Sequence, residues 1–346
     1  MSKKLISLFP GNVKSYFQNK IFDQKTRDEW NPIFIYLKKL LNQKNIEINT
    51  IDIPTKTLPD WYIYIDIPYF WEPAYLPYWK ELFSHTRKNI LFSNETPMVI
   101  PYNHMKIFHF FFDKVFTWDD DLVDNRKYFK VNLPKNNPQM SKSIKRFKDK
   151  KFLILINSNK SALLPFKIIS PLGKELYSER IKAIDFFEKK IPDRFFLYGR
   201  GWNKAKKYNL KEAIFGYKKY STYKGEVETN GKINLLSNFK YCICFENITN
   251  VKSYITEKLF DCFKAGCVPI YWGASNITNY IPKDCFIDFR EFRNYDNLLK
   301  YLDSIDENKY NSFTNNIRSL MSNKNFIETW FEEGFGKLVL KDVLEV

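Results

Sequence analysis

The sequence predicts an α/β protein of two medium-sized domains, the first an α/β unit with long irregular connections and the second a parallel β-sheet covered by helices on both faces. Three observations point there. The chain has 346 residues, more than one small core accommodates. Short apolar runs that read as strands alternate with stretches of helical periodicity through the second half. Between the halves lies Asn136-Asn137-Pro138, followed by the basic run Lys142, Lys145, Arg146, Lys148, Lys150 and Lys151, which reads as a solvated linker and a domain boundary.

The elements follow in chain order. The N-terminal stretch Lys3-Lys4-Leu5-Ile6-Ser7-Leu8-Phe9-Pro10 is too short in apolar residues for a signal peptide or a membrane span. No later run is long enough to cross a bilayer, so a cytoplasmic location is expected. Trp61 to Ile67 reads as a buried strand closed by Pro68, with an aromatic and proline-rich loop through Pro77. Lys88 to Ser93 is a second strand, ended by Asn94-Glu95-Thr96-Pro97. Past the boundary, strands are expected at 152–156, 195–198, 241–245 and 268–272, with helices at 174–190 and 256–265. In such folds ligands bind outside the carboxyl ends of the strands, near helix N-termini.

Composition narrows the partners without choosing one. The 55 basic and 39 acidic residues give a net charge of +16, which favours nucleotide phosphates, an acidic membrane surface or nucleic acid. The basic residues are dispersed and no nucleic-acid module is recognisable, so nucleic acid is not an expected partner. The high aromatic content, with abundant Lys, Asn and Ile, is equally well a mark of an AT-rich genome. Five cysteines without metal-ligand spacing read as buried free thiols. His85, His104 and His109 read as structural. Neither GxGxxG nor GxxxxGK[ST] occurs, which leaves dinucleotide oxidoreduction and P-loop chemistry without a foothold.

Chemistry concentrates between Phe245 and Pro282. Phe245-Glu246-Asn247, a six-residue turn, and Tyr254-Ile255-Thr256-Glu257-Lys258-Leu259-Phe260-Asp261 form a strand, a loop and a helix N-terminus. Thr256 is a good N-cap and Gly266 a good C-terminal stop. The free N–H groups of that N-terminus suit a diphosphate. Lys258 puts a cation where a helix disfavours one, a cost that a bound anion would offset.

This stretch, followed by Ala265-Gly266-Cys267-Val268-Pro269-Ile270-Tyr271-Trp272-Gly273-Ala274 and continued by Tyr280-Ile281-Pro282 and Phe286-Ile287-Asp288-Phe289, resembles the donor-binding signature of the inverting α1,3/4-fucosyltransferases. Arg180 with Phe196-Leu197-Tyr198-Gly199-Arg200, and Lys232 with Leu236-Ser237-Asn238-Phe239-Lys240, resemble flanking blocks of that family. Asn94-Glu95-Thr96-Pro97 resembles its Glu-Ser-Pro motif. The resemblance spans residues 88–333 and is tight over 239–289.

The resemblance implies a GT-B architecture, two Rossmann-like domains facing across a cleft. Residues 1–140 would bind the acceptor, 151–330 would bind GDP-fucose, and 331–346 would form a tail. It implies Glu95 as the catalytic base. Arg180 and Lys258 would hold the diphosphate, Arg180 by two parallel hydrogen bonds, with Lys232 as a further phosphate ligand. Asn247, Tyr254 and Glu257 would bond ribose or fucose hydroxyls. The implied reaction moves fucose from GDP-fucose with inversion to an acceptor oligosaccharide or glycolipid, by default an N-acetylglucosamine hydroxyl of an N-acetyllactosamine-like unit. No cofactor or bound metal is required, although a divalent metal could stimulate. Another GDP-sugar, another linkage, or a non-catalytic sugar-binding protein are the alternatives, and the basic surface could hold the protein at a membrane. The sequence departs from the pattern in a turn one residue longer between Asn247 and Tyr254, and in Thr96 for the usual serine. The acidic run Asp119-Asp120-Asp121 offers a competing metal-binding reading.

Overall fold

The structure, a computed structural model, describes residues 3–26, 30–84, 88–162, 164–170, 172–204, 217–228 and 231–345. His85 lies outside them. Two parallel sheets organise the chain. The first has the order β2-β1-β3-β4-β5-β6, from β1 (Lys4–Phe9), β2 (Ile46–Thr50), β3 (Trp61–Ile65), β4 (Lys88–Ser93), β5 (Lys114–Thr117) and β6 (Tyr128–Lys130). Its neighbours run parallel, with Ile6 beside Ile48 and Trp61, and Tyr64 beside Leu91. β1, β3 and β4 are buried almost end to end, as strands covered on both faces must be.

One face of this sheet carries α1 (Asn31–Gln43), whose Ile33, Phe34, Leu37 and Leu41 pack on Ile6, Leu8 and Ile48. The other carries α2 (Leu76–Ser84) and the single turn α3 (Lys106–His109), over Phe9, Tyr62, Tyr64 and Leu91.

The second sheet has the order β13-β12-β10-β7-β9, from β7 (Lys151–Ile156), β9 (Phe195–Tyr198), β10 (Phe239–Phe245), β12 (Val268–Trp272) and β13 (Ile287–Asp288), again parallel. The short β8 (Lys174–Glu175) and β11 (Ile248–Thr249) pair antiparallel beside it. One face is covered by α5 (Tyr177–Lys190) and the Tyr295–Ser304 helix. The other is covered by the Glu257–Ala265 helix and the Glu307–Met321 helix. All five cysteines are free and buried in this unit. The short α4 (Leu164–Ile169) stands at its rim.

Two stretches differ from the sequence reading. The C-terminal stretch, expected as a tail, is helical over Glu332–Leu338 and folds back onto the first sheet: Phe335 packs its ring on Phe34 at 6.3 Å and Phe92 at 5.5 Å. Gly336 permits the approach, since a Cβ there would lie 2.7 Å from Leu40. The basic run is not wholly solvated. Lys150 is buried and donates to the carbonyls of Ser237, Phe239 and Gly266 at 3.0, 3.2 and 2.8 Å, closing the backbone groups that β7 and its neighbours leave open at their start.

Candidate functional site

The carboxyl end of β10 and the N-terminus of the Glu257–Ala265 helix meet at one buried carboxylate. Glu246 is fully buried and accepts from the Thr256 N–H at 2.8 Å and the Thr256 hydroxyl at 2.7 Å, with the Lys258 ammonium at 3.4 Å. It thereby fixes the angle at which the helix leaves the sheet and satisfies a donor of its first turn. Lys258 also donates to Thr256 Oγ1 at 3.0 Å and lies 3.3 Å from Glu257. Burial works against its charge, but Glu257 and Glu246 outweigh it and raise its pKa, so the side chain stays an ammonium. Glu257 is opposed by burial too, yet Lys258, Lys232 and Lys135 hold it well below the usual carboxylate range.

Arg180 comes up from α5 beneath the same strand end. It is buried, and its Nε and Nη2 donate to the Phe245 carbonyl at 3.2 and 2.7 Å, with Nη2 also on Asn247 Oδ1 at 2.9 Å. The two-pronged grip on phosphate expected for Arg180 is therefore reduced. Its fork is committed to the strand end, leaving Nη1 without a protein partner among the described residues. Asn247 uses its amide oxygen on Arg180 and keeps Nδ2 for another acceptor. Lys232 forms an ion pair with Asp261 at 2.6 Å.

Arg180, Lys232 and Lys258 line one pocket with Asn157 and with apolar side chains that include Leu155, Ile156 and Leu236, at the carboxyl ends of β7 and β10. Gly199 shapes the neighbouring wall: at φ +125° it lets the chain pass so close to Asn157 that a Cβ would overlap its carbonyl at 2.0 Å.

Glu95 reaches this region from the other unit. It follows β4, and its backbone is pinned. Asp66 Oδ1 accepts from the N–H of Asn94 at 2.7 Å and of Glu95 at 3.0 Å, and from Asn103 Nδ2 at 2.5 Å. His104 Nε2 meets the Glu95 carbonyl at 2.8 Å, and burial lowers this imidazole to about 4, so it is neutral and donates there. Burial raises Asp66 to about 7, helped by Glu95. The Glu95 carboxyl is itself raised by burial, against the pull of Lys160 and Lys258 from the second unit. Among the described residues it makes no ion pair, and the Thr96 backbone N–H is a hydrogen-bond donor that pulls its value down.

Tyr254 is buried between the two units. Its ring packs edge-on against Trp118 at 5.0 Å, and burial with Glu95 and Glu246 raises its phenol well above its ordinary value, so it is a hydroxyl donor at neutral pH.

The acidic run is a clasp between the units. Asp120 accepts from Tyr280 at 2.7 Å, Asn276 at 2.9 Å and Lys130 at 2.6 Å, and from the Ser253 hydroxyl, while Lys252 pairs with Asp121. Asp119 Oδ1 is taken by the Asp121 N–H.

Sequence reasoning missed several residues at this site. Asp66 carried a readable signal, a lone carboxylate in the otherwise apolar run 61–67. Lys160, Trp71 and Tyr177, whose ring lies 5.1 Å from the Arg180 guanidinium, carried none, because their place depends on tertiary packing. Trp71 stacks on Tyr69 at 4.5 Å and reaches Phe166 of α4 at 5.9 Å, bridging the cleft rim.

Residues 197–329, which contain Lys232, Asn247, Tyr254, Glu257 and Lys258, match the C-terminal model of glycosyltransferase family 10 (fucosyltransferase). The matched segment is well under half of the chain. It is similar to a mouse 4-galactosyl-N-acetylglucosaminide 3-alpha-L-fucosyltransferase 9, 39% identical over 114 residues, which are 31% of this chain and 32% of that protein. It is also similar to an Arabidopsis alpha-(1,4)-fucosyltransferase, 42% identical over 19% of this chain and 16% of that protein. The match thus spans a third or less of these relatives. A crystal structure of an α1,3-fucosyltransferase with GDP superimposes with a TM-score of 0.55 at 15% identity, over 99% of this chain and 90% of that one. An α-glucosyltransferase with UDP-glucose and DNA containing an abasic site gives 0.60 at 10% identity, over 99% of both. The fold is GT-B. The family segment is its second sheet from β9 onward, and Arg180 and Glu95 lie outside the matched residues.

Proposed function

We propose that this chain transfers L-fucose from GDP-fucose, with inversion, to a hydroxyl of an acceptor glycan, N-acetylglucosamine of an N-acetyllactosamine-like unit being the expected acceptor. The observation that carries this reading is the convergence of Arg180, Lys232 and Lys258 on one cavity beside the family segment, with Glu95 opposite.

In this reading the acceptor oxygen attacks the anomeric carbon as Glu95 takes its proton, and the bond from that carbon to the β-phosphate oxygen breaks. The departing GDP gains negative charge. Lys258, fixed between Glu246 and Glu257, the Nη1 of Arg180 and the helix N–H groups stabilise that charge without reorganising. Inversion in one displacement needs a single base, the role this reading gives to Glu95. Burial raises the Glu95 carboxyl, which makes it a stronger base than a solvated glutamate. Tyr254 and the free Nδ2 of Asn247 are placed to bond sugar hydroxyls, and Trp71 with Tyr69 offers the acceptor a stacking face.

The test is GDP release from GDP-fucose, with and without N-acetyllactosamine. Acceptor-dependent release is expected. Failure to bind GDP-fucose at all overturns the donor assignment, and binding without this acceptor's turnover overturns the acceptor.

A further inference from the structure

The second inference concerns the outside of the first unit, and it does not rest on the donor or the acceptor. A helix that covers a sheet ordinarily turns polar side chains to water. α2 and α3 do not. Leu76 and Phe83 of α2 are 54% and 49% exposed, and Ile107 of α3 and the following Phe110 are 75% and 72% exposed. These side chains form a patch rather than a scatter. Phe83 packs on Phe111 at 4.7 Å, and Phe111 on Phe110 at 5.8 Å, joining the two helices. Large contiguous apolar surfaces of this kind mark contact with another phase or molecule.

Lysines run through the patch. Lys80 lies four residues after Leu76 and three before Phe83, on the same stripe of α2, and Lys106 precedes Ile107; both are exposed. Of the neighbouring acidic groups, Glu81 is half-buried and Asp113 is engaged by the Asn89 N–H at 2.8 Å. Apolar side chains that can enter the acyl boundary, with ammonium groups that can reach phosphate, are the chemistry of an interfacial helix. A second copy of the chain would bring its own positive charge against this one, since the whole chain carries +16.

We propose that the outward face of α2 and α3 docks on an anionic lipid bilayer. Packing ties this face to the cleft rim: the buried Tyr102 touches Phe108 at 5.6 Å on one side and Phe70 at 5.5 Å on the other, and Phe70 and Trp71 are exposed.

The experiment is co-sedimentation of the full chain with phosphatidylcholine vesicles, with and without phosphatidylglycerol. The wild type is expected to sediment with the anionic vesicles and to stay in solution with the neutral ones. Ile107→Asp with Phe110→Asp should lower the partition coefficient roughly tenfold or more, with melting temperature and GDP binding unchanged. Lys80→Ala with Lys106→Ala should weaken binding and flatten its salt dependence. In a second measurement, the indole fluorescence introduced by Ile107→Trp should be quenched by brominated lipid in anionic vesicles. The proposal is overturned if the wild type ignores anionic vesicles or if the Asp variant binds as tightly. It is equally overturned if the introduced indole is not quenched, or if the protein is a dimer that the Asp substitutions dissociate.

Discussion

Replacing Arg180 tests how the strand end and the nucleotide site depend on each other. In Arg180→Met the buried guanidinium is lost, and with it the three hydrogen bonds to Phe245 O and Asn247 Oδ1. Nη1 is the group left over for a ligand, so one charge-assisted hydrogen bond to phosphate is removed. Such a bond is worth about 1.5–3 kcal/mol, which corresponds to roughly 10- to 150-fold in GDP affinity. Arg180→Lys keeps a charge but not the fork, so it should recover part of the GDP affinity and little of the bonding to the strand end. The fold also feels the change: a buried carbonyl left unpaired costs about 1–3 kcal/mol, partly offset because a buried charge is gone. The assay is calorimetric titration of GDP alongside a thermal melt. A folded Arg180→Met protein that binds GDP within about twofold of the wild type would refute the placement of Arg180 at the phosphates.

Three further outcomes follow from the same geometry. Asp120 is held near 2, below its ordinary 3.8, because hydrogen bonds from Lys130, Ser253 and Tyr280 outweigh its burial. Its stabilising contribution is therefore present above about pH 4 and lost as the pH falls toward 2; Asp120→Asn should melt lower than wild type at neutral pH and no lower at about pH 2. Lys160 is the leading influence that opposes the burial-driven rise of Glu95, so Lys160→Ala should move the acidic limb of kcat/KM to higher pH, and an unmoved limb would remove Lys160 from the site. Trp71→Ala should raise the KM for acceptor about 2- to 10-fold and leave that for GDP-fucose unchanged, whereas equal changes in both would dismiss it as an acceptor platform.

What could be read in the sequence follows the range of each interaction. Strands at 88–93, 195–198 and 268–272 and the capped helix behind Thr256 were legible because apolar runs and caps act within a few residues. The N-terminal Leu5-Ile6-Ser7-Leu8-Phe9 reads in sequence only as a run too short for a signal peptide or a membrane span, though it is β1, between β2 and β3 in the first sheet. Its apolar run has no alternation to distinguish it from other buried segments. The family resemblance named Lys232, Arg180 and Lys258 as phosphate ligands, but not that Arg180 commits its fork to Phe245. That commitment depends on the crossing of α5 and β10. The acidic run 119–121 shows the limit most clearly. An Asp-x-Asp reads as a cation site when seen alone, and only the second unit supplies the Ser253, Asn276 and Tyr280 donors that occupy Asp120. Likewise Lys150 sat unnoticed in a basic run because the carbonyls it satisfies lie 87 to 116 residues away.

The central claim is that Glu95, pinned by Asp66 and His104 and facing Lys258 across the cleft, is the base. The most direct measurement is single-turnover transfer from GDP-fucose to N-acetyllactosamine by Glu95→Gln, with GDP-fucose affinity determined on the same preparation. The account predicts a rate about 100-fold or more below wild type, with donor affinity unchanged. A Glu95→Gln protein that transfers at the wild-type rate would contradict it.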